Sequence, residues 1–270
     1  LTPSPPLPMN ESLPLLHFSS LAAFPGLVHA VSTRQGGVSS GSYASLNLST
    51  STGDSSENVD ANYRRLAAAL ELPRERFTTT WQVHGVRVAR ATADQAGGMI
   101  DKADGIITDT PGLPLTQRYA DCTPLIVYDP RRHAAGLAHA GWRGTVAGMA
   151  TTLVQAMAEA YGSNPADLVA VIGPAIGPCC YEVGPEVAEA VQQAFPAAAA
   201  LLHQPANGAS TPANPHLDLW AANRWQLEQA GVGQIETAGI CTRCQHETFF
   251  SHRGDGPQTG RFGAVIMLNS

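Results

Sequence analysis

Apolar residues along the chain fall into short runs separated by Gly-, Pro- and Asp-rich breaks, and helical periodicity is confined to a few longer stretches. Pro124–Tyr128 and Ala134–Ala138 are aliphatic runs of the length of buried strands. Between them Asp129-Pro130-Arg131-Arg132 supplies turn chemistry, since Pro presets φ and Asp can bond its own backbone. The pattern predicts a hairpin with Cys122 just ahead of its first strand and His139 at the end of its second. Antiparallel pairing brings such ends together, which gathers half of a metal site and leaves a third ligand to be found. Gly141-Trp142-Arg143-Gly144 then turns the chain into a helix.

Further strands are expected at Gly26–Ser32, Thr78–Gln82, Val86–Ala91, Gly105–Thr108, Leu115–Tyr119, Leu168–Ile172, Gln234–Cys241 and Gly263–Leu268. Helices are expected over Glu57–Leu70 behind a Ser56 cap, over Pro185–Phe195 and over Leu217–Ala230. Thr145–Tyr161 reads as one helix with Val146, Met149, Leu153 and Met157 on a single face and Gly162 closing it. Asp94–Asp104 reads as loop, Pro3–Leu13 as a loose Pro-rich stretch, and Pro196–Pro215 as a surface excursion. No repeat with a period of roughly 20–50 residues is present, which excludes a solenoid. Strands and helices alternate without a linker, so the expected fold class is a single α/β domain over residues 26–270, preceded by a partly flexible extension over residues 1–25.

Composition narrows the function classes. A chain of 270 residues with 44% hydrophobic and 14% charged residues can bury one large core. A formal charge of −6 argues against a general nucleic-acid surface, which needs clustered cations. No apolar run approaches the ~20 residues of a membrane span. Leu1–Pro8 has neither the basic nor the apolar region of a secretory signal, and Met9 reads as a natural start. Five cysteines, with one adjacent pair and one Cys-x-x-Cys, do not make an even disulfide framework. A cytoplasmic protein with reduced thiols is expected, acting on a small-molecule substrate, with no nucleic acid or membrane partner, as a monomer or small homo-oligomer.

His84 is the candidate third ligand, placed in a tight bend beside Gly85. Two imidazoles and a thiolate fit zinc with a fourth position open, the pattern of catalytic rather than structural sites. Cys241-Thr242-Arg243-Cys244 is half of a structural zinc site, with His246 and His252 the nearest candidates to complete it, while Cys179-Cys180 reads as packing. Gly37-Val38-Ser39-Ser40-Gly41 matches the pattern of a nucleophile elbow but is followed by no helical periodicity, so it reads as chance. No dinucleotide or Walker glycine pattern appears. Arg34, Arg143, Arg253 and Arg261 lie in Gly-containing loops, where a planar fork of donors suits phosphate or carboxylate.

Seven ordered motifs then carry a resemblance. These are Arg34-Gln-Gly-Gly-Val-Ser, Ser45-Leu-Asn-Leu, Gln82-Val-His-Gly, Ala120-Asp-Cys, His139-Ala-Gly-Trp-Arg-Gly, Gly173-Pro-Ala-Ile-Gly-Pro and Glu247-Thr-Phe-Phe-Ser. From about Gly26 to Leu268 the chain resembles the YfiH-like family, whose members are called laccase-domain or polyphenol oxidase proteins, purine nucleoside phosphorylases, and peptidoglycan editing factors. The resemblance implies an α/β/β/α sandwich of mixed sheets between helices. It implies zinc at His84, Cys122 and His139, with copper the other metal the family's names suggest. It also implies phosphorolysis of adenosine, inosine, guanosine or methylthioadenosine, and deamination of adenosine. Asp121, Arg143 and Gln82 are the expected catalytic residues, and Arg34, Asn47, Arg143 and Arg261 the expected substrate contacts, with Asp121 either a proton shuttle or a residue orienting a ligand. Tyr119 stands where the family commonly has Thr, a change expected to reshape the pocket wall. Two other activities compete: an amidase removing a misplaced Ser from muropeptide precursors, and a copper oxidase. The oxidase is disfavoured because the nine histidines form no His-x-His pair.

Overall fold

The computed structural model describes residues 13–204 and 214–269. The expected hairpin forms the middle of the molecule: Thr123–Asp129 and Ala134–Ala140 pair antiparallel, with Thr123 opposite Ala140 and Asp129 opposite Ala134. Asp129 Oδ1 accepts from the Arg131 and Arg132 amides, at 2.8 and 3.0 Å, and so closes the turn as its side-chain chemistry requires. Around the hairpin grows a six-stranded mixed sheet in the order Gln234–Thr237, Val169–Ile172, Thr123–Asp129, Ala134–Ala140, Gly105–Thr108, Val88–Arg90. A four-stranded antiparallel sheet runs Leu15–Leu16, Leu27–Ser32, Phe262–Leu268, Leu115–Tyr119.

Strand periodicity explains the layering. Ile126 and Tyr128 face the four-stranded sheet and pack with Tyr119, Phe262, Ala264 and Ile266. Leu125 and Val127 point the other way, onto Met149, Leu153 and Met157 of the helix Met149–Tyr161 and onto Leu227 of the helix Leu219–Gln229. The far face of the smaller sheet, through Val265 and Met267, is covered by Val59, Tyr63 and Leu66 of the helix Ser56–Leu70. The result is the expected sandwich of helix, sheet, sheet and helix.

Several boundaries differ from the sequence expectation. The cap of the first long helix is Ser55, whose side chain accepts from the Asn58 amide. Thr145–Tyr161 is not one helix. Trp142–Val146 and Met149–Tyr161 are separated at Gly148, which has φ +89°, and Val146 packs away from the Met149 face against a different cluster. The Asp94–Asp104 stretch contains a strand, Met99–Lys102, pairing parallel with Thr79–Trp81. Its half-polar, exposed pattern hid it. Gln234–Cys241 is strand only as far as Thr237. Leu15–Leu16 and the short helix Ser19–Ala22 carry the fold back before residue 26. Most of the Pro3–Leu13 stretch and part of Pro196–Pro215 lie outside the described residues. No described helix is long and apolar enough to cross a membrane.

Candidate metal centre and its cavity

The register of the hairpin sets the site. Pro124 lies opposite His139, so Cys122 ends beside the Ala140-Gly141 corner. A Cβ on Gly141 would stand 2.8 Å from Cys122 Sγ and 3.4 Å from His84 Cδ2, so only glycine leaves the donors room to converge. His84 arrives from the bend after Thr79–Trp81 with φ +61°, a conformation that costs a non-glycine residue energy. The strain falls on His84 itself rather than on Gly85.

Asp104, fully buried, holds that bend. Its Oδ2 accepts from the Val83 and Gly85 amides at 3.1 and 2.7 Å, and its Oδ1 from the His84 amide at 2.9 Å. The same Oδ1 meets His139 Nδ1 at 2.9 Å, which leaves Nε2 of that ring for the cavity. Each of His84, Cys122 and His139 thus offers a ligand atom, all within 4.8 Å of one another. The two rings stand edge to face with centroids 4.9 Å apart.

Charge fits the same conclusion. Burial pushes the Cys122 thiol up, but His139 and His84 outweigh it and bring it down to about 6. Burial pulls His139 down, but Cys122 and Asp104 outweigh it and lift it to about 9. Burial would also raise Asp104, yet His139 and the surrounding amides hold it below the ordinary carboxylate range. The donors together favour a positive charge between them, which a divalent cation would supply. The trio could hold a metal ion.

The trio opens into a cavity of about 540 Å³, within the range of small-molecule sites. Arg118, Arg143, Arg253 and Arg261 line it, with Asp121, Gln82, Trp81 and Tyr181. Among the expected residues, Arg143 sits exposed in the first turn of Trp142–Val146, its guanidinium 4.3 Å from the Trp142 ring centre. Gln82 reaches the cavity but spends its amide on the Arg118 backbone, donating to its carbonyl at 2.8 Å and accepting from its N–H at 3.1 Å. Asp121, at φ +85°, accepts from Thr242 Oγ1 at 2.7 Å and from the Arg253 amide at 2.6 Å, so both its oxygens are engaged.

Two expected substrate contacts are placed elsewhere. Arg34 is not among the cavity's lining residues: it donates to the Ala44 and His246 carbonyls and pairs with Asp255 at 3.1 Å. Asn47 is fully buried, donating to Ser49 O and Asp54 and accepting from the Arg261 amide at 2.9 Å. Both hold loops that carry the cavity wall. Tyr119 does not form that wall either; it is buried behind His139, stacked on Phe262, and donates to the Ala138 carbonyl at 3.1 Å. Ser39 of the chance elbow match is buried and donates to Asp54. Sequence reasoning missed Asp104 and Arg118, which carry no motif signal of their own. It also misread Cys179-Cys180, whose thiols meet Cys244.

Comparison with known proteins settles the family. Residues 28–269 match the family model described as multi-copper polyphenol oxidoreductase laccase. The chain belongs to the laccase-domain, YfiH-like family. A relative from Deinococcus radiodurans named purine nucleoside phosphorylase is 42% identical over 256 residues, spanning 95% of this chain and 93% of its own. Purine nucleoside phosphorylase YlmD of Geobacillus stearothermophilus is 40% identical over 252 residues, 90% of each chain. The crystal structure of Geobacillus stearothermophilus YlmD matches with a TM-score of 0.86 at 35% identity, covering 97% of this chain and 98% of that one.

Proposed function

We propose that this protein is a zinc-dependent purine nucleoside phosphorylase, acting on adenosine, inosine, guanosine or methylthioadenosine, and that the same cavity deaminates adenosine. The observation that carries the reading is the meeting, in one cavity, of a two-imidazole, one-thiolate donor set with four arginines. The phosphorylase names of full-length relatives support it.

In phosphorolysis a phosphate oxygen bonds to C1′ as the C1′–N9 bond breaks, and the departing base keeps the electron pair and gains a proton. The protein's first task is to hold an anion against a neutral sugar. Arg143 presents a guanidinium fork suited to phosphate, and Arg118, Arg253 and Arg261, each with part of its guanidinium on backbone carbonyls, add charge along the same wall. Gln82 fixes the Arg118 backbone, and Asp121 fixes that of Arg253, so both act by positioning the arginines. Trp81, half exposed at the cavity's edge, offers a flat face for a purine. Asp104 orients His139 and the His84 bend. A zinc ion held by His84, Cys122 and His139 would supply Lewis acidity toward a substrate or water oxygen. The two candidate metal clusters among the described residues contain two histidines between them, too few for a multicopper centre.

Incubation of the purified protein with adenosine, with and without phosphate, tests this. Phosphate-dependent release of adenine and ribose 1-phosphate, with phosphate-independent formation of inosine, is expected. Absence of both products from metal-replete protein would refute the assignment.

A further inference from the structure

Behind the cavity wall, away from the trio, four more thiols converge. Cys179 and Cys180 sit in the turn after Gly173–Pro178, and Cys241 and Cys244 in a turn some 64 residues further on. A backbone bridge pairs Ala175 with Cys241 in parallel, which brings the two turns face to face. Cys244 Sγ lies 3.5 Å from Cys179 Sγ and 3.4 Å from Cys180 Sγ, and all four sulfurs fall within 4.8 Å of one another. Cys241, the buried member, accepts the Gly177 amide on its sulfur at 3.2 Å.

We infer that Cys179, Cys180, Cys241 and Cys244 form a second, structural metal site, a tetrathiolate that binds zinc. Zinc–sulfur bonds of about 2.3 Å place the sulfurs of a tetrahedron about 3.8 Å apart, close to the spacing found here. Four protein ligands close the coordination sphere, as structural zinc requires, whereas the trio in the cavity leaves a position free. Thiolates as the sole donors select a soft or borderline cation over magnesium or calcium. The N–H to sulfur bond from Gly177 supports a thiolate that carries negative charge. Gly177 is also packed so that a Cβ would reach 2.6 Å from the Trp220 ring, which keeps this turn pressed against its neighbours.

The position of the clamp gives it a consequence. Ile176 and Tyr181, flanking the first turn, line the cavity. Thr242, beside Cys241, donates to Asp121 Oδ1, and the Asp121 carbonyl accepts from the Ile176 amide at 3.0 Å. Zinc at the four cysteines fastens the two segments that form this wall, and through Thr242 and Asp121 it steadies the loop of Arg253.

Metal analysis of protein purified anaerobically from zinc-supplied cells tests the site. Two zinc ions per chain are expected in wild type. One is expected in Cys122→Ala, and one in the double variant Cys179→Ser, Cys244→Ser. Cobalt-loaded Cys122→Ala should retain the intense visible bands of a tetrahedral tetrathiolate, and the double variant should lack them. The inference is overturned if Cys122→Ala holds no zinc, if its cobalt spectrum shows no tetrathiolate bands, or if intact-mass measurement finds these cysteines as disulfides; a single zinc in wild type that persists in Cys122→Ala would instead count against the trio alone. The zinc content and cobalt spectrum of Cys122→Ala decide the matter even where the double variant fails to fold.

Discussion

Asp104→Asn removes one oxygen from a buried side chain that accepts four hydrogen bonds. The amide that replaces it has one acceptor oxygen and a donating NH2, so the two donors served by the lost oxygen lose their partner and both face an NH2 instead. A buried donor left unsatisfied costs about 1–3 kcal/mol, so a loss of roughly 2–6 kcal/mol in stability is expected. Function suffers separately, because His139 loses the carboxylate that fixes its ring and the His84 bend loses its anchor. Such orienting partners are worth about 10–100-fold in metal affinity. Thermal unfolding reads the first effect. The free zinc concentration giving half-maximal adenine release reads the second, and it should rise by the same ~10–100-fold. If Asp104→Asn keeps both the wild-type unfolding temperature and the wild-type zinc requirement, the carboxylate does not organise the site and the reasoning fails.

Three other outcomes follow from named contacts. Arg143→Gln removes an exposed guanidinium from the cavity and should raise the phosphate KM about 10–100-fold with a smaller change in kcat, since a charged hydrogen bond is worth about 1.5–3 kcal/mol; an unchanged phosphate KM would place the anion elsewhere. Gly141→Ala keeps an allowed backbone at φ −73° but drives a methyl to 2.8 Å from Cys122 Sγ, so zinc binding at the trio should weaken while the unfolding temperature moves little; unaltered zinc binding would contradict the geometry. Burial first, then the nearby His17, pulls His29 from 6.5 to about 4, and its Nε2 must stay unprotonated to accept the Phe18 amide at 2.9 Å. The unfolded chain therefore takes up this proton before the folded one does. Stability from this group is complete above about pH 6.5 and is lost as pH falls toward 4, by on the order of 3 kcal/mol. Urea unfolding at neutral and acid pH should show that loss in wild type and less of it in His29→Gln; equal losses would refute the assignment.

Some of this architecture is legible from the chain alone, and the limits have physical reasons. Aliphatic runs and a turn with Asp and Pro specify the hairpin, and antiparallel geometry then forces Cys122 toward His139. The break at Gly148 escapes periodicity because the apolar spacing runs on across a glycine that the fold uses at φ +89°. Asp104 looks like any loop acid until the Val83–Gly85 amides close around it. The motifs that mark the family mark its scaffold as well as its site, which is why Arg34 and Asn47 read as substrate contacts while the structure ties them into loops. Cys241-x-x-Cys244 shows half of a cluster whose other half is brought in by a bridge between Ala175 and Cys241, a pairing that no local pattern announces.

The central claim is that catalysis depends on an ion held by His84, Cys122 and His139. The most direct measurement is adenine release from adenosine and phosphate as zinc is titrated into chelator-treated protein. Activity should be lost on chelation, return with zinc in wild type, and fail to return in Cys122→Ala; full phosphorolysis by the metal-stripped protein, or by Cys122→Ala, would contradict the account.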